Sequence, residues 1–314
     1  MLLRQPNHSD PASSKHDFLM KETPVVSFLL ALCLSSFAQE RAVNKALANS
    51  PKAYALFGEN GKPAAWMDFV EEAMASDVVL FGEHHDDPIM HWLQAELVHA
   101  MLDAGVQPVL GAEMMEADDQ LVLDEFLAGW VSDDKLKAAA NLWPNHFTDY
   151  HPLLELARDN GLRFIATNVP RRYASFVYHN GLDALKELSQ EAKAYLPPLP
   201  VAYDPTLPGY EAMLDMAGGH GGETLPMAQA IKDATMAHFI STNLEQGTPF
   251  VHFNGAYHSQ DHEGIEWHLH NLMPNLRVLT LHCHVTEDVS LASPDELGRG
   301  NFLLQTHARM TRTH

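Results

Sequence analysis

Five short runs in this chain, at residues 78–81, 109–112, 163–167, 250–253 and 277–282, are mostly apolar throughout instead of at every second position. A strand tolerates that pattern when both of its faces are covered, as in a parallel sheet lying between helices. Helical patterns fill the gaps. Asp86-Asp87-Pro88 supplies a cap and a proline for the first helical position, and Ile89, Leu93, Leu97 and Met101 then recur every four residues up to Gly105. Similar segments run over 118–129, 152–161 and from Pro226 to about Gln246. The alternation predicts a three-layer α/β fold, a mostly parallel sheet with helices on both faces and right-handed crossovers. Between Arg171 and Leu225 no strand pattern appears. Prolines and the group Gly218-Gly219-His220-Gly221-Gly222 break short helical pieces there, which predicts a mainly helical lid inserted at about 171–225.

Two of the strand runs end alike. Val78-Val79-Leu80-Phe81 passes into Gly82-Glu83-His84-His85, and Phe250-Val251-His252-Phe253-Asn254 into Gly255-Ala256-Tyr257-His258. Each places a histidine three residues after a glycine at the carboxyl end of a strand, where open α/β sheets bind ligands. If the strands are neighbours, the two histidines meet. Glu113 closes a third apolar run, and a carboxylate there needs a partner because burying it alone is costly. Glu83, His85, Glu113 and His258 together make a mixed nitrogen–oxygen set suited to zinc, manganese or iron(II). His84 is expected to point away from His85, and His91 to reach or cap the pocket from the next helix. The chain holds 20 histidines, which motivates the search without deciding it. Tyr210, Met213, Met216 and His220 near the glycine group offer haem-ligand types in a loop able to cover a flat ligand, with Asp233 and Met236 on the following helix.

Other chemistries find little support. There is no G-x-S-x-G and no phosphate-cradling glycine motif. Cys33 and Cys283 are the only cysteines, too few for a disulfide framework, and Cys283 reads as a small buried residue. Asp and Glu number 41 against 20 Lys and Arg, a net charge of −21 that disfavours nucleic acid and anionic lipid as partners. Met20-Lys21, the apolar stretch that follows to Phe37, and Ser36-Phe37-Ala38 have the order of a secretory signal, too short to span a bilayer. Residues 1–39 therefore read as an upstream extension plus signal peptide, and 40–314 as one exported domain without a transmembrane segment. The bulky Leu32 before Cys33 argues against a lipid anchor.

Gly82-Glu83-His84-His85-Asp86-Asp87 with His91 and Gln94, Glu113-Met114, Asn168-Val169-Pro170-Arg171, Gln229 with Asp233 and Met236-Ala237, and Gly255-Ala256-Tyr257-His258 together resemble the ChaN-like proteins. That family belongs to the haem-binding-uptake and Tiki superfamily, alongside TraB proteins and erythromycin esterases. The resemblance runs from about Ala53 to the last strand. It implies an α/β core with a helical lid, and an iron-regulated, exported haem-binding protein of iron acquisition in the periplasm or at the cell surface. Two subunits of such proteins hold haems face to face through a tyrosine. Tyr210 is the candidate, with Tyr173 and Tyr178 as alternatives, and His220, Asp233 and Met236 complete the expected haem contacts. The Tiki branch implies instead a metal-dependent hydrolase using the GxxH histidines and a glutamate. A third reading is a scaffold that binds a small ligand without cofactor or catalysis.

Overall fold

The computed structural model describes residues 50–216 and 222–313, apart from the side chains of Asp215 and Met216. The chain divides into two units, Met1–Pro51 and Lys52–His314. The segment read as extension and signal peptide, Cys33 included, lies outside the described residues, and so does His220.

In chain order the second unit opens with strand β1 (Tyr54–Gly58), helix α1 (Trp66–Ala75) and strand β2 (Val78–Glu83). Helix α2 (Pro88–Asp103), strand β3 (Val109–Glu116), and helices α3 (Gln120–Leu127), α4 (Asp133–Ala139) and α5 (His151–Asn160) follow. After strand β4 (Phe164–Asn168) come the lid helices α6 (Arg171–Asn180), α7 (Gln190–Lys193) and α8 (Pro208–Met216). The long helix α9 (Thr224–Thr242) leads to strand β5 (Phe250–Gly255), helix α10 (Ile265–Leu272) and strands β6 (Val278–Thr286) and β7 (Phe302–His307).

The seven strands form one sheet in the order β1-β7-β6-β2-β5-β3-β4, parallel throughout except for β1, which runs antiparallel to β7 at one edge. Alternate residues of the apolar strands feed two different cores. Val79, Phe81, Leu110 and Val251 pack with Met90, Leu97 and Phe69 of α2 and α1. Val78, Leu80, Val109 and Phe250 pack with Met236, Ile240, Ile265 and Leu269 of α9 and α10. Both faces of the sheet are covered, as near-continuous apolar strands require. The lid has a smaller core of its own, in which Val169, Ala174, Val177 and Leu185 meet Ile231 of α9. Among the described residues no helix is long and apolar enough to cross a membrane.

The structure extends the expected elements in two places. Strand β3 runs on past Ala112 to Glu116, with a register shift against β4 between those residues, so Glu113 lies inside the strand instead of just after it. Strands β1 and β7 are additional, at the edge away from the site.

Asp87 ties the first strand end to the end of the chain. It caps α2, accepting from the Ile89 and Met90 amides at 2.9 and 3.3 Å. Its other oxygen, fully buried, accepts from the Thr306 hydroxyl at 2.6 Å and from Arg312 at 2.8 Å. Asp87→Ala leaves all four donors unmatched and is expected to lower the free energy of unfolding by roughly 3 kcal/mol. Asp87→Asn keeps an acceptor for the helix amides and should cost less. Urea denaturation of both variants checks this; a loss under about 1 kcal/mol in the alanine variant would contradict the bridging role.

Candidate functional site

Strands β2 and β5 are neighbours, parallel and in register, with Glu83 opposite Gly255. Strand β3 flanks β5 on its other side with Ala112 opposite Phe253, which brings Glu113 to the same level. The two GxxH turns therefore open side by side at the carboxyl edge of the sheet, into a pocket of about 990 Å³. Gly255 is required by this closeness: a Cβ there would stand 2.7 Å from His85 Nε2.

The first turn is held by hydrogen bonds from several directions. His85 Nδ1–H donates to Glu83 Oε1 at 2.8 Å, and the Tyr150 hydroxyl donates to the same oxygen at 2.7 Å. Gln94 donates to Glu83 Oε2, and His91 Nε2 lies 3.5 Å from it. The His85 carbonyl accepts from Asn145 Nδ2 at 2.9 Å. His85 Nε2 is left at the pocket, 4.0 Å from Glu113 Oε2. The second turn uses the same device. His258 Nδ1 pairs with Asp233 Oδ1 at 2.5 Å, while its Nε2 stands 3.1 Å from Glu113 Oε1. Glu113 Oε2 in turn accepts the Gly255 amide at 2.7 Å. Each histidine thus has a carboxylate on Nδ1, and Glu113 stands between them.

Charge follows from this geometry. Burial works to raise the Glu83 pKa, but His85 and His91 outweigh it and bring it down to about 2. Burial opposes ionisation of Glu113 too, and His258, His85 and the Gly255 amide together hold it well below the usual carboxylate range. Burial would deprotonate His258, yet Glu113 and Asp233 raise its pKa to about 9. His85 is raised by Glu83 and Glu113 against the same burial penalty. Without a ligand, the carboxylates around the two histidines bias both rings toward the protonated form.

Glu83, His85, Glu113 and His258 come together as one group. Asp233 joins them through His258, and its second oxygen accepts from the Tyr210 hydroxyl at 2.9 Å. Tyr210 is thereby buried with its hydroxyl bonded inside the protein, and burial with the nearby Asp233 raises its pKa. The tyrosine among the residues lining the pocket is Tyr257, whose hydroxyl donates to the Gly209 carbonyl at 2.5 Å. Tyr173 stacks under Arg172 and Tyr178 lies edge-on to His179, neither lining the pocket. Met236 is placed away from the pocket, fully buried against Val78, Leu80 and Phe250, because the face of α9 carrying it packs on the sheet. His84 lines the pocket on the side of Cys283 and is exposed there. Cys283 is buried beside it, and burial pushes its thiol pKa up. Among the described residues no three histidine, cysteine or acidic side chains stand in an arrangement that could hold a metal ion as placed.

Two contributions were missed from sequence. One is a π-helical turn, His146–Tyr150, with Trp143 and Asn145 before it; it brings Tyr150 onto Glu83 and Trp143 against the His85 ring. The density of aromatic and polar residues in Trp143-Pro144-Asn145-His146-Phe147-Thr148-Asp149-Tyr150 was the available signal. The other is the pocket's β6 side, where Glu296 accepts from His282 at 2.7 Å and from Arg299 at 3.1 Å.

The sequence profile of a family described as haem-binding uptake, Tiki superfamily, ChaN matches residues 69–269. Among solved structures, ChaN of Campylobacter jejuni, described as binding haem cofacially, superposes with a TM-score of 0.62 at 16% identity, over 81% of this chain and 96% of that one. A mutant of the erythromycin esterase EreC in its open conformation superposes with a TM-score of 0.43 at 10% identity, over 81% and 83% of the two chains. A curated relative, RETICULATA-RELATED 5, chloroplastic, of Arabidopsis thaliana, is 28% identical over 135 residues, 41% of this chain. The chain spans 18% of that relative's length.

The raised pKa of His258 has a measurable consequence. The folded state holds this proton more tightly than the unfolded chain does, so its stabilising contribution is complete below about pH 6.5 and is lost as pH rises through about 9. Ligand-free protein is expected to lose on the order of 1–2 kcal/mol of unfolding free energy between pH 7 and pH 9.5. Asp233→Asn, which removes one of the two carboxylates, should flatten that decline. Urea denaturation across the pH range checks both; equal slopes in the two proteins would contradict the assignment.

Proposed function

We propose a function from one premise: the chain belongs to the ChaN family of the haem-binding-uptake, Tiki superfamily. It binds haem in the pocket at the ends of β2 and β5, and serves iron acquisition after export to the periplasm or cell surface. One observation carries the reading. His85 stands at the pocket with Nδ1 fixed by Glu83 and Nε2 turned to the open space, the orientation that prepares a histidine to ligate a metal centre. The walls suit a flat apolar ring: Trp143 and Pro144 come from one side, and Val169, Ala174 and Met213 from the lid side. Haem would supply a ferric iron there, in need of a nitrogen or oxygen donor from the protein. His85 Nε2 is the donor proposed here, after loss of the proton that Glu83 and Glu113 favour. Tyr257 is the tyrosine positioned to share the pocket, and Tyr210 supports it indirectly through Asp233 and His258.

The twin pairs, Glu83 on His85 and Asp233 on His258, favour a second reading, a metal-dependent hydrolase. In it Glu113, His85 and His258 would hold a divalent zinc, manganese or iron ion, which would supply Lewis-acid chemistry there. Such an ion would displace the proton held on His258, so its binding is expected to weaken progressively as pH falls below about 9.

Titrating the purified protein with ferric haem, while measuring its metal content, separates the two. The haem reading expects a saturable Soret shift at stoichiometric haem, and a loss of affinity of about tenfold or more in His85→Ala. If His85→Ala keeps both the affinity and the Soret position, His85 is not the ligand, and Tyr257→Phe becomes the variant to measure. No Soret shift, together with one tightly bound transition metal per chain that is lost in His85→Ala/His258→Ala, would replace the haem reading with the hydrolase.

A further inference from the structure

Besides the histidines, three basic side chains line the pocket: Arg171, Lys232 and Arg299. Two are committed to neighbours. Arg171 donates from Nε and its backbone amide to the Glu116 carboxylate, and from Nη2 to the Asn141 carbonyl at 3.0 Å. Arg299 grips Asp261 with Nε and Nη2, both at 2.9 Å, and reaches Glu296 with Nη1 at 3.1 Å. Lys232 has neither an acidic partner nor a hydrogen bond on its ammonium among the described residues.

That is an unusual position for a lysine in a chain with 41 acids and 20 bases. Its neighbour in sequence, Asp233, has both oxygens occupied by Tyr210 and His258. The carboxylates that line the pocket are matched too: Glu83 with His85, Glu113 with His258, Glu116 with Arg171, and Glu296 with His282 and Arg299. Among the described residues, what remains uncompensated in the pocket is therefore the ammonium of the half-buried Lys232. It stands on the wall that also carries Val169, Ala174 and Met213. A partly desolvated cation beside an apolar wall attracts a carboxylate more strongly than it would in open water.

We propose that Lys232 is the carboxylate anchor of this pocket, selecting flat apolar ligands that carry an acid group at one edge. This rests on the haem-binding reading, under which the group recognised is a haem propionate. Lys232 then orients the ring and discriminates against neutral relatives of the same shape, while His85 meets the metal.

The test measures affinity of the full chain, by Soret titration, for ferric haem and for its dimethyl ester, which keeps the iron and the ring but lacks free carboxylates. Lys232→Met is expected to weaken haem about tenfold and to leave the ester within twofold of its affinity for the unaltered protein. Lys232→Arg should keep most of the haem affinity. Raising the salt concentration should weaken haem binding in the unaltered protein and have much less effect in Lys232→Met. Lys137→Met removes a lysine that lies over Phe147 outside the pocket lining, and should change nothing. Circular dichroism and urea midpoints confirm that each variant is folded. If Lys232→Met binds haem as the unaltered protein does, the anchor is refuted while haem binding stands. Equal losses for haem and ester would refute it as well, reducing Lys232 to a packing contact. If the unaltered protein shows no saturable haem binding, the anchor falls together with the reading beneath it.

Discussion

The in-register pairing of β2 with β5 is the constraint on which the site depends. Parallel strands align their carboxyl ends, so Glu83 opposite Gly255 sets the two GxxH turns side by side with no loop needed to bring them together. A slip of one residue would turn the strand side chains to the opposite faces and break both cores at once. The apolar packing that makes the sheet stable is thus the same packing that holds the register of the site. Gly255 adds a steric condition, since His85 occupies the space where any side chain on that residue would begin.

Burying several carboxylates at one sheet edge is costly unless each is paired and hydrogen-bonded. The protein meets that cost locally. Glu83 is held by His85, Tyr150 and Gln94, and Glu113 by His258 and the Gly255 amide. These partners come from the turn after β2, the π-helical turn, α2, and the end of β5 with the turn after it, so the site also ties together separate parts of the chain. The pairing fixes which nitrogen of each ring is engaged. With Nδ1 of both histidines committed to acids, their chemistry is confined to Nε2 and directed at the shared space around Glu113.

Much of this was legible in the residues themselves. Runs such as Val78-Val79-Leu80-Phe81, apolar at every position, could only be strands covered on two faces, and the repeated Gly-x-x-His endings marked where they would meet. Strands β1 and β7 were harder to read: Tyr54–Gly58 is a five-residue edge strand, and Phe302–His307 turns polar after Leu304. Tyr150 was hidden for another reason: it bonds Glu83 across a separation of 67 residues, and only the tertiary fold creates that contact. Met236 and Tyr210 depend on tertiary placement in the other direction. Their residue types suggested haem ligands, but a helix exposes one face at a time. The α9 face bearing Met236 belongs to the core, while Tyr210 turns inward to Asp233. Residue type identifies a capacity to ligate; helical phase decides which way the side chain faces.

The two halves of the pocket answer to different physical demands. Its floor consists of strand ends whose charges are almost fully matched, and such a preorganised network changes little between ligands. Its lid side carries apolar residues and a lysine unmatched among the described residues, on or beside α6, α8 and α9, where a substitution alters shape or charge without disturbing the sheet. A fold built in this way can keep one coordination chemistry at the floor while its ligand is chosen by the lid. The particular residues of the lid wall, Lys232 first among them, therefore bear on which ligand the pocket admits.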